Sequence, residues 1–109
     1  MIIAITAAEK DLGSRIHGCL GRSRYVLVAD TEARVVKVID NSAFAGLKIG
    51  SGIKTAEMLI KIGVQSVVSA SIGPKAEEIF RNSGVRVYKN VSGTIEEILE
   101  HLTTGGSFD

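Results

Sequence analysis

The chain has 109 residues, a formal net charge of +1, and 45% hydrophobic against 23% charged residues, which fits one globular domain over 1–109 with a single modest core. Near-neutral charge gives no reason to expect nucleic-acid binding, and no apolar run reaches the ~20 residues of a membrane span. The single cysteine excludes an internal disulfide and a self-contained multi-cysteine zinc or iron–sulfur site. Met1 leads directly into Ile2-Ile3-Ala4-Ile5 with no basic segment or cleavage site, so no signal peptide and a cytoplasmic location are expected.

Residues 2–6 read as a short buried strand. Residues 7–23 carry almost no periodic pattern, and connections of that length in compact domains are usually functional or disordered. Within them, Ile16-His17-Gly18-Cys19-Leu20-Gly21-Arg22 holds the only cysteine and one of the two histidines. Gly18 and Gly21 argue against a helix or strand interior. A thiol, an imidazole and a fixed cation on one loop make a candidate site, although a lone cysteine is as readily a small buried hydrophobe.

Residues 24–30 and 34–40 are both strand-like, and the short turn between them makes an antiparallel hairpin. Arg34 and Lys37 charge the second strand, as suits an edge. A glycine-rich stretch follows with Gly46, Gly50 and Gly52, and then a helix capped by Ser51 with Ile53, Ala56, Leu59 and Ile60 on its apolar face. Gly63 ends that helix and Val64 makes the accompanying apolar contact.

Residues 65–70 form the fourth strand. Pro74 stands at the first position of the next helix, where its missing N–H costs nothing; Ala76, Ile79 and Phe80 form the buried stripe and Gly84 stops it. Residues 85–88 are a fifth strand. Thr94 and Glu97 have capping-box spacing, and Ile95, Ile98, Leu99 and Leu102 follow the helical period. His101 lies late in this last helix, where a cation suits the dipole, and 103–109 reads as a frayed tail.

The order β-β-β-α-β-α-β-α predicts an α/β fold with a five-stranded mixed sheet in the order 3-2-1-4-5, strand 2 alone antiparallel, and three helices on its faces. The carboxyl ends of strands 1, 3, 4 and 5 then share one edge, and every long or glycine-rich loop starts there. Open α/β sheets bind ligands at that edge. Its loops and helix starts carry Lys10, Arg15, Arg22, Lys48, Lys54, Lys75 and Lys89 against Glu9, Asp11 and Asp40. Three helix N-termini, near Gly52, Gly73 and Gly93, point to it as well, so an anionic ligand is the natural inference.

Several enzyme classes fail on residues. In Gly50-Ser51-Gly52-Ile53-Lys54-Thr55, Ile53 interrupts the contiguous Gly-Lys-Ser/Thr of a P-loop, and Thr55 takes the third glycine place of a dinucleotide fingerprint. Asp40 alone cannot hold the metal pair of a nuclease. Cys19 and His17, one residue apart with no third group to orient the imidazole, are poorly placed as nucleophile and base. A binding protein is therefore favoured over an enzyme. Cys and His are ligands for iron–sulfur and other thiophilic clusters.

Across nearly its whole length the sequence resembles the dinitrogenase iron–molybdenum cofactor biosynthesis family. The resemblance rests on Ile2-Ile3-Ala4-Ile5, Leu20-Gly21-Arg22-Ser23 leading into Tyr25-Val26-Leu27-Val28, and Gly50-Ser51-Gly52-Ile53 with Ala56-Glu57. Ile72-Gly73-Pro74 with Ala76, Gly84-Val85-Arg86-Val87-Tyr88 and Gly93-Thr94-Ile95-Glu96-Glu97 complete it. It implies a ribonuclease-H-like core and the binding or carriage of an anionic iron–sulfur or iron–molybdenum cofactor precursor, without catalysis. Cys19 and His17 are then the metal ligands, and Arg22, Gly52, Lys54, Gly73, Lys75 and Gly93 bind the cofactor as charge partners and helix starts. Relatives often read His-Phe-Gly-Arg where this chain has Cys19-Leu20-Gly21-Arg22, so a thiol replaces an imidazole at a ligand position. Implied partners are proteins that donate or accept a metallocluster, with the chain itself a monomer or weak homodimer. A small-anion or phosphometabolite module using the helix starts at Gly52, Gly73 and Gly93 is the alternative, followed by a protein-interaction domain without a small ligand.

Overall fold

A computed structural model describes residues 1–106 of the chain. Its strands are β1 (Ile2–Ala7), β2 (Tyr25–Asp30), β3 (Val35–Asp40), β4 (Ser66–Val68) and β5 (Arg86–Tyr88). The helices are α1 (Ser42–Ala45), α2 (Ser51–Ile62), α3 (Pro74–Asn82) and α4 (Ile95–Thr103), with a 3-10 turn at Leu20–Arg22. The sheet runs β3-β2-β1-β4-β5. β1 is antiparallel to β2 and parallel to β4, β2 is antiparallel to β3, and β4 is parallel to β5. The expected order and the single reversed strand are both present.

Two apolar layers sandwich this sheet. On one face, Ala4, Val26, Val28 and Val67 pack with Leu59 of α2 and Phe80 of α3. On the other, Ile3, Ile5, Leu27 and Val68 pack with Ile95, Ile98 and Leu102 of α4. Consecutive side chains of a strand point to opposite faces, so β1 is covered on both sides and Ile3, Ala4 and Ile5 are all fully buried. A near-continuous apolar run is what a central strand of such a sheet requires.

Helix boundaries follow local chemistry. Gly63 takes the left-handed conformation at φ 97° after α2, and the Val64 amide reaches back to the Leu59 carbonyl, closing the end as a Schellman turn. Pro74 occupies the first turn of α3. In α4 the capping box is complete, with the Glu97 amide donating to Thr94 Oγ1 at 3.2 Å and the Thr94 amide to Glu97 Oε1 at 3.1 Å.

Three expectations need correction. The helices number four among the described residues, not three, because 42–45 forms the one-turn α1; four residues are too few for any helical period to register. Ser51 is the first residue of α2 rather than its cap, a place taken by Gly50 at φ 81°; the reversal out of the preceding loop requires a left-handed residue there. Finally, Leu20–Arg22 forms a single 3-10 turn that contains Gly21, one of the two glycines read as excluding helix. At the C-terminus, Thr103 ends α4 and the Thr104 hydroxyl donates to the Glu100 carbonyl; the rest of the expected frayed tail, 107–109, lies outside the described residues.

Candidate functional site

The connection from β1 to β2 lies across the carboxyl edge as a strap. It first folds on itself, the Ala8 amide donating to the Arg15 carbonyl and the Ser14 amide to that of Asp11. It then borrows hydrogen bonds from distant loops. The Ile16 amide donates to Gly93 and the Ile95 amide to Ser14, tying the strap to the start of α4. Farther on, the Ser71 amide donates to Gly18 and the Leu20 amide to Ser71, so Cys19 pairs with Ser71 as a parallel bridge beyond the end of β4. Leu20 is fully buried in the core shared by α2 and α3 and pins the far end.

Beneath the strap sit buried hydroxyls. Thr6 Oγ1 donates to Ser69 Oγ at 3.1 Å, and Ser69 Oγ lies 2.8 Å from the Ser71 carbonyl and 3.1 Å from that of Gly18. Thr6 and Ser69 are both fully buried. Ser23 donates to the His17 carbonyl at 2.7 Å. A second knot joins Asn41 Nδ2 to the Ser23 carbonyl and to Thr55 Oγ1, each at 3.1 Å. Every buried side-chain polar atom among the described residues has a partner, as buried polar networks demand. Ser69, Ser71, Asn41 and Thr55 hold the site in place, and none of them stood out in the sequence. The one legible signal was a run of serines interrupting β-rich residues at Ser66-Val67-Val68-Ser69.

The candidate ligands ride on this strap. Cys19 is half-buried and His17 exposed, so both can meet a ligand from outside. The cleft between β1 and β4, where an open sheet of this kind ordinarily receives its ligand, is roofed by the chain's own Gly18–Leu20 backbone. A ligand therefore meets the outer surface of the strap. No group of three or more His, Cys, Asp or Glu side chains able to hold a metal ion occurs among the described residues. The donors available are a thiol and an imidazole.

The other expected residues divide by what they touch. The Arg22 guanidinium is spent on main-chain carbonyls, reaching Ala45 at 3.1 Å, Lys48 at 3.2 Å and Leu47. It fixes the connection after α1. Gly52 lies in the first turn of α2 against Gly21, whose tight approach covers that helix start. Lys54 has Glu57 at 3.9 Å one turn on. Gly93, at φ 118°, uses its carbonyl to receive the strap.

Gly73 and Lys75 are different. Gly73 caps α3 with open space around its Cα, and Lys75 is exposed with no salt-bridge partner among the described residues. Ser71, two residues before Gly73, pairs through its main chain with Cys19, which ties this helix start to the strap. The bridge thus links the Cys19 segment, with His17 on the same strap, to the segment of Ser71, Gly73 and Lys75.

Charge at the edge is partly offset from below. Glu77 of α3 receives Lys89 at 2.8 Å and Arg81 at 3.0 Å, and those two bonds hold its carboxyl below the usual range. Hydrogen bonds from Ser42, helped by Arg24 and Lys10, lower Asp40 in the same way. Lys10 and Arg24 also stand over the Tyr25 ring, 5.5 and 5.1 Å from its centroid. Among the described residues, the edge cations Arg22, Lys48 and Lys75 form no salt bridge, and of these Arg22 is taken up by main-chain carbonyls.

The protein is thus a three-layer α/β domain with a roofed carboxyl edge that carries a thiol and an imidazole. No helix among its described residues is long and apolar enough to cross a membrane. The family model for the dinitrogenase iron–molybdenum cofactor matches residues 1–105, and the chain belongs to that family. The apo form of the orange protein from Desulfovibrio gigas superposes with a TM-score of 0.89 at 28% identity, covering 95% of this chain and 88% of the other. A NifB-like protein from Thermotoga gives 0.80 at 30% identity, again over 95% and 88%. An uncharacterised protein of Methanocaldococcus jannaschii is 28% identical over 95 residues, 84% of this chain and 80% of the relative.

Proposed function

We propose that the protein binds and carries an anionic iron–sulfur or iron–molybdenum cofactor precursor as cargo, in the cytoplasm, without catalysing a reaction. The observation that carries this reading is the bridge of Cys19 to Ser71, just ahead of the α3 start with Gly73 and Lys75, in a chain whose family is named for that cofactor. The similar orange protein was solved as an apo form, which supports a ligand-binding role for the shared fold. That fold we assign to the ribonuclease-H-like class.

The donor set fits cargo better than a resident cofactor. Cys19 supplies a thiolate and His17 an imidazole, both ligand types for such clusters. Two donors leave the remaining cluster positions to exogenous thiols or to a partner, a condition under which a cluster can be received and passed on to proteins that donate or accept it. Lys75 and the first turn of α3 supply the positive field for an anion. Arg22 contributes by shaping the adjoining loop, and Gly52, Lys54 and Gly93 by setting the helix starts around it.

Anaerobic reconstitution with iron and sulfide, followed by visible absorption, tests the reading. Cluster absorption that is lost in Cys19→Ala and weakened in His17→Ala is the expected result; absorption that survives Cys19→Ala overturns the ligand assignment. The second reading, a small-anion or phosphometabolite site, is favoured by the open cap at Gly73 and the unpaired Lys75. It predicts thermal stabilisation by phosphates that persists in Cys19→Ala and fades in Lys75→Ala.

A further inference from the structure

The open edge of the sheet is unusually apolar. β3 has β2 on one side and, among the described residues, no strand on the other, yet Val35, Val36 and Val38 are 45%, 39% and 44% exposed. A six-residue edge strand usually carries several charges, a proline or a bulge to discourage pairing. Between its end residues this one has Lys37 alone.

Its free hydrogen-bonding groups can be assigned. The Asn41 amide donates to the Arg24 carbonyl, and these two residues continue the β2–β3 register in which Val26 faces Ile39 and Val28 faces Lys37. Hydrogen-bonded pairs alternate along an antiparallel ladder, so residues 35, 37, 39 and 41 turn their N–H and C=O groups toward β2. Residues 36, 38 and 40 turn theirs outward, and Arg34, left-handed at φ 57°, is the turn residue just ahead of the strand.

We propose that β3 pairs antiparallel with β3 of a second copy of this chain, joining two sheets into one of ten strands. A two-fold axis through Lys37 is the register that the residues select. It places Val36 opposite Val38 of the second copy, and these outward residues exchange four main-chain hydrogen bonds. Val35 falls opposite Ile39 on the other face. At both ends the axis brings the turn residue Arg34 up to Asp40 of the second copy, so that opposite charges meet just beyond the ladder. Moving the axis to Val36 or Val38 keeps the hydrogen-bond phase but loses the charge pairing at the ends and shortens the overlap. An antiparallel pair in one sheet shares its faces, so the four valines form one apolar strip between the two α4 helices, next to Leu99. On the opposite face, Ile62 of α2, 44% exposed, flanks Val35.

Lys37 facing its own copy limits the affinity, so the pairing is a reversible monomer–dimer equilibrium. That residue also supplies the sharpest test. Sedimentation velocity from micromolar to millimolar protein should show a dimer growing with concentration. Lys37→Thr, which removes the facing charges, should tighten dimerisation about twofold to fivefold. Mixing wild type with Lys37→Glu should enrich the heterodimer, since lysine then faces the introduced carboxylate; misfolding cannot mimic that gain. Val38→Pro removes an outward N–H without touching the β2 ladder and should abolish the dimer, with Val36→Glu as a second variant that leaves the backbone intact. A chain that stays monomeric at millimolar concentration, or a dimer indifferent to all of these changes, overturns the proposal.

Discussion

A Cβ placed on Gly21 would stand 2.2 Å from the main-chain nitrogen of Gly52 and 2.5 Å from the carbonyl carbon of Ser51. Main chain approaches main chain here, so the strap and the first turn of α2 fit together only because Gly21 has no side chain. Neither partner can move alone, since Leu20 is buried beside Gly21 and Thr55 of α2 is held by Asn41.

Gly21→Ala is therefore expected to lower stability by about 3 kcal/mol, the upper range for overpacking a closed contact. Urea unfolding followed by circular dichroism measures it. Gly73→Ser is the informative contrast: at φ −65° with nothing within 4 Å of the added Cβ, it should leave stability unchanged or raise it slightly by giving α3 a side-chain cap.

Arg22 yields a different outcome from the one its charge alone would predict. Its guanidinium serves the carbonyl of Ala45 at the end of α1 and those of Leu47 and Lys48 just after it, a forked geometry that lysine cannot reproduce. Arg22→Lys keeps the cation yet should cost about 1 kcal/mol, discounted for exposure, and should raise amide exchange across 42–50. Unchanged exchange there would show that the carbonyl contacts contribute little and that charge was the relevant property.

These two residues mark the limit of what could be read from the chain. Strand order was legible because each apolar run, hairpin turn and helix crossover restricts its neighbours locally, and the capping box of Thr94 and Glu97 is a short-range pattern. The patternless stretch 7–23 gave away its place but not its conformation. Its order comes from main-chain bonds such as Ile16 to Gly93 and Leu20 to Ser71, which leave no mark on side-chain periodicity. Arg22 appeared as a loose positive charge because its acceptors are carbonyls, and carbonyls are the same at every position. Cys19 and Lys75 were both legible as candidates; the bridge of Cys19 to Ser71, ahead of the helix that carries Lys75, required the fold.

Glu77 links folding to pH. Its carboxyl is held below the ordinary range by Lys89 first and Arg81 second. A carboxylate whose folded-state pKa is depressed adds stability that is fully present above its unfolded value and is lost as pH falls through the folded one. Thermal midpoints of wild type and Glu77→Gln should thus differ at neutral pH and converge on acidification below the usual glutamate range. A difference that stays constant with pH would assign the effect to packing of the α3 surface instead of the charge.

Ser69 offers a way to loosen the strap without touching the candidate ligands. Its hydroxyl accepts from Thr6 and lies against the carbonyls of Gly18 and Ser71, on either side of the Cys19 pairing. Ser69→Ala leaves the buried Thr6 hydroxyl without that acceptor, an effect of about 2 kcal/mol on stability. The more telling consequence is kinetic. With the loop less firmly held, the Cys19 thiol should react several-fold faster with a disulfide reagent, while a reconstituted cluster should be lost sooner even though both donors remain. Faster thiol reaction together with unaltered cluster retention would separate the stiffness of the strap from ligand holding, and would place the residues that retain the cargo on the Gly73 and Lys75 side of the bridge.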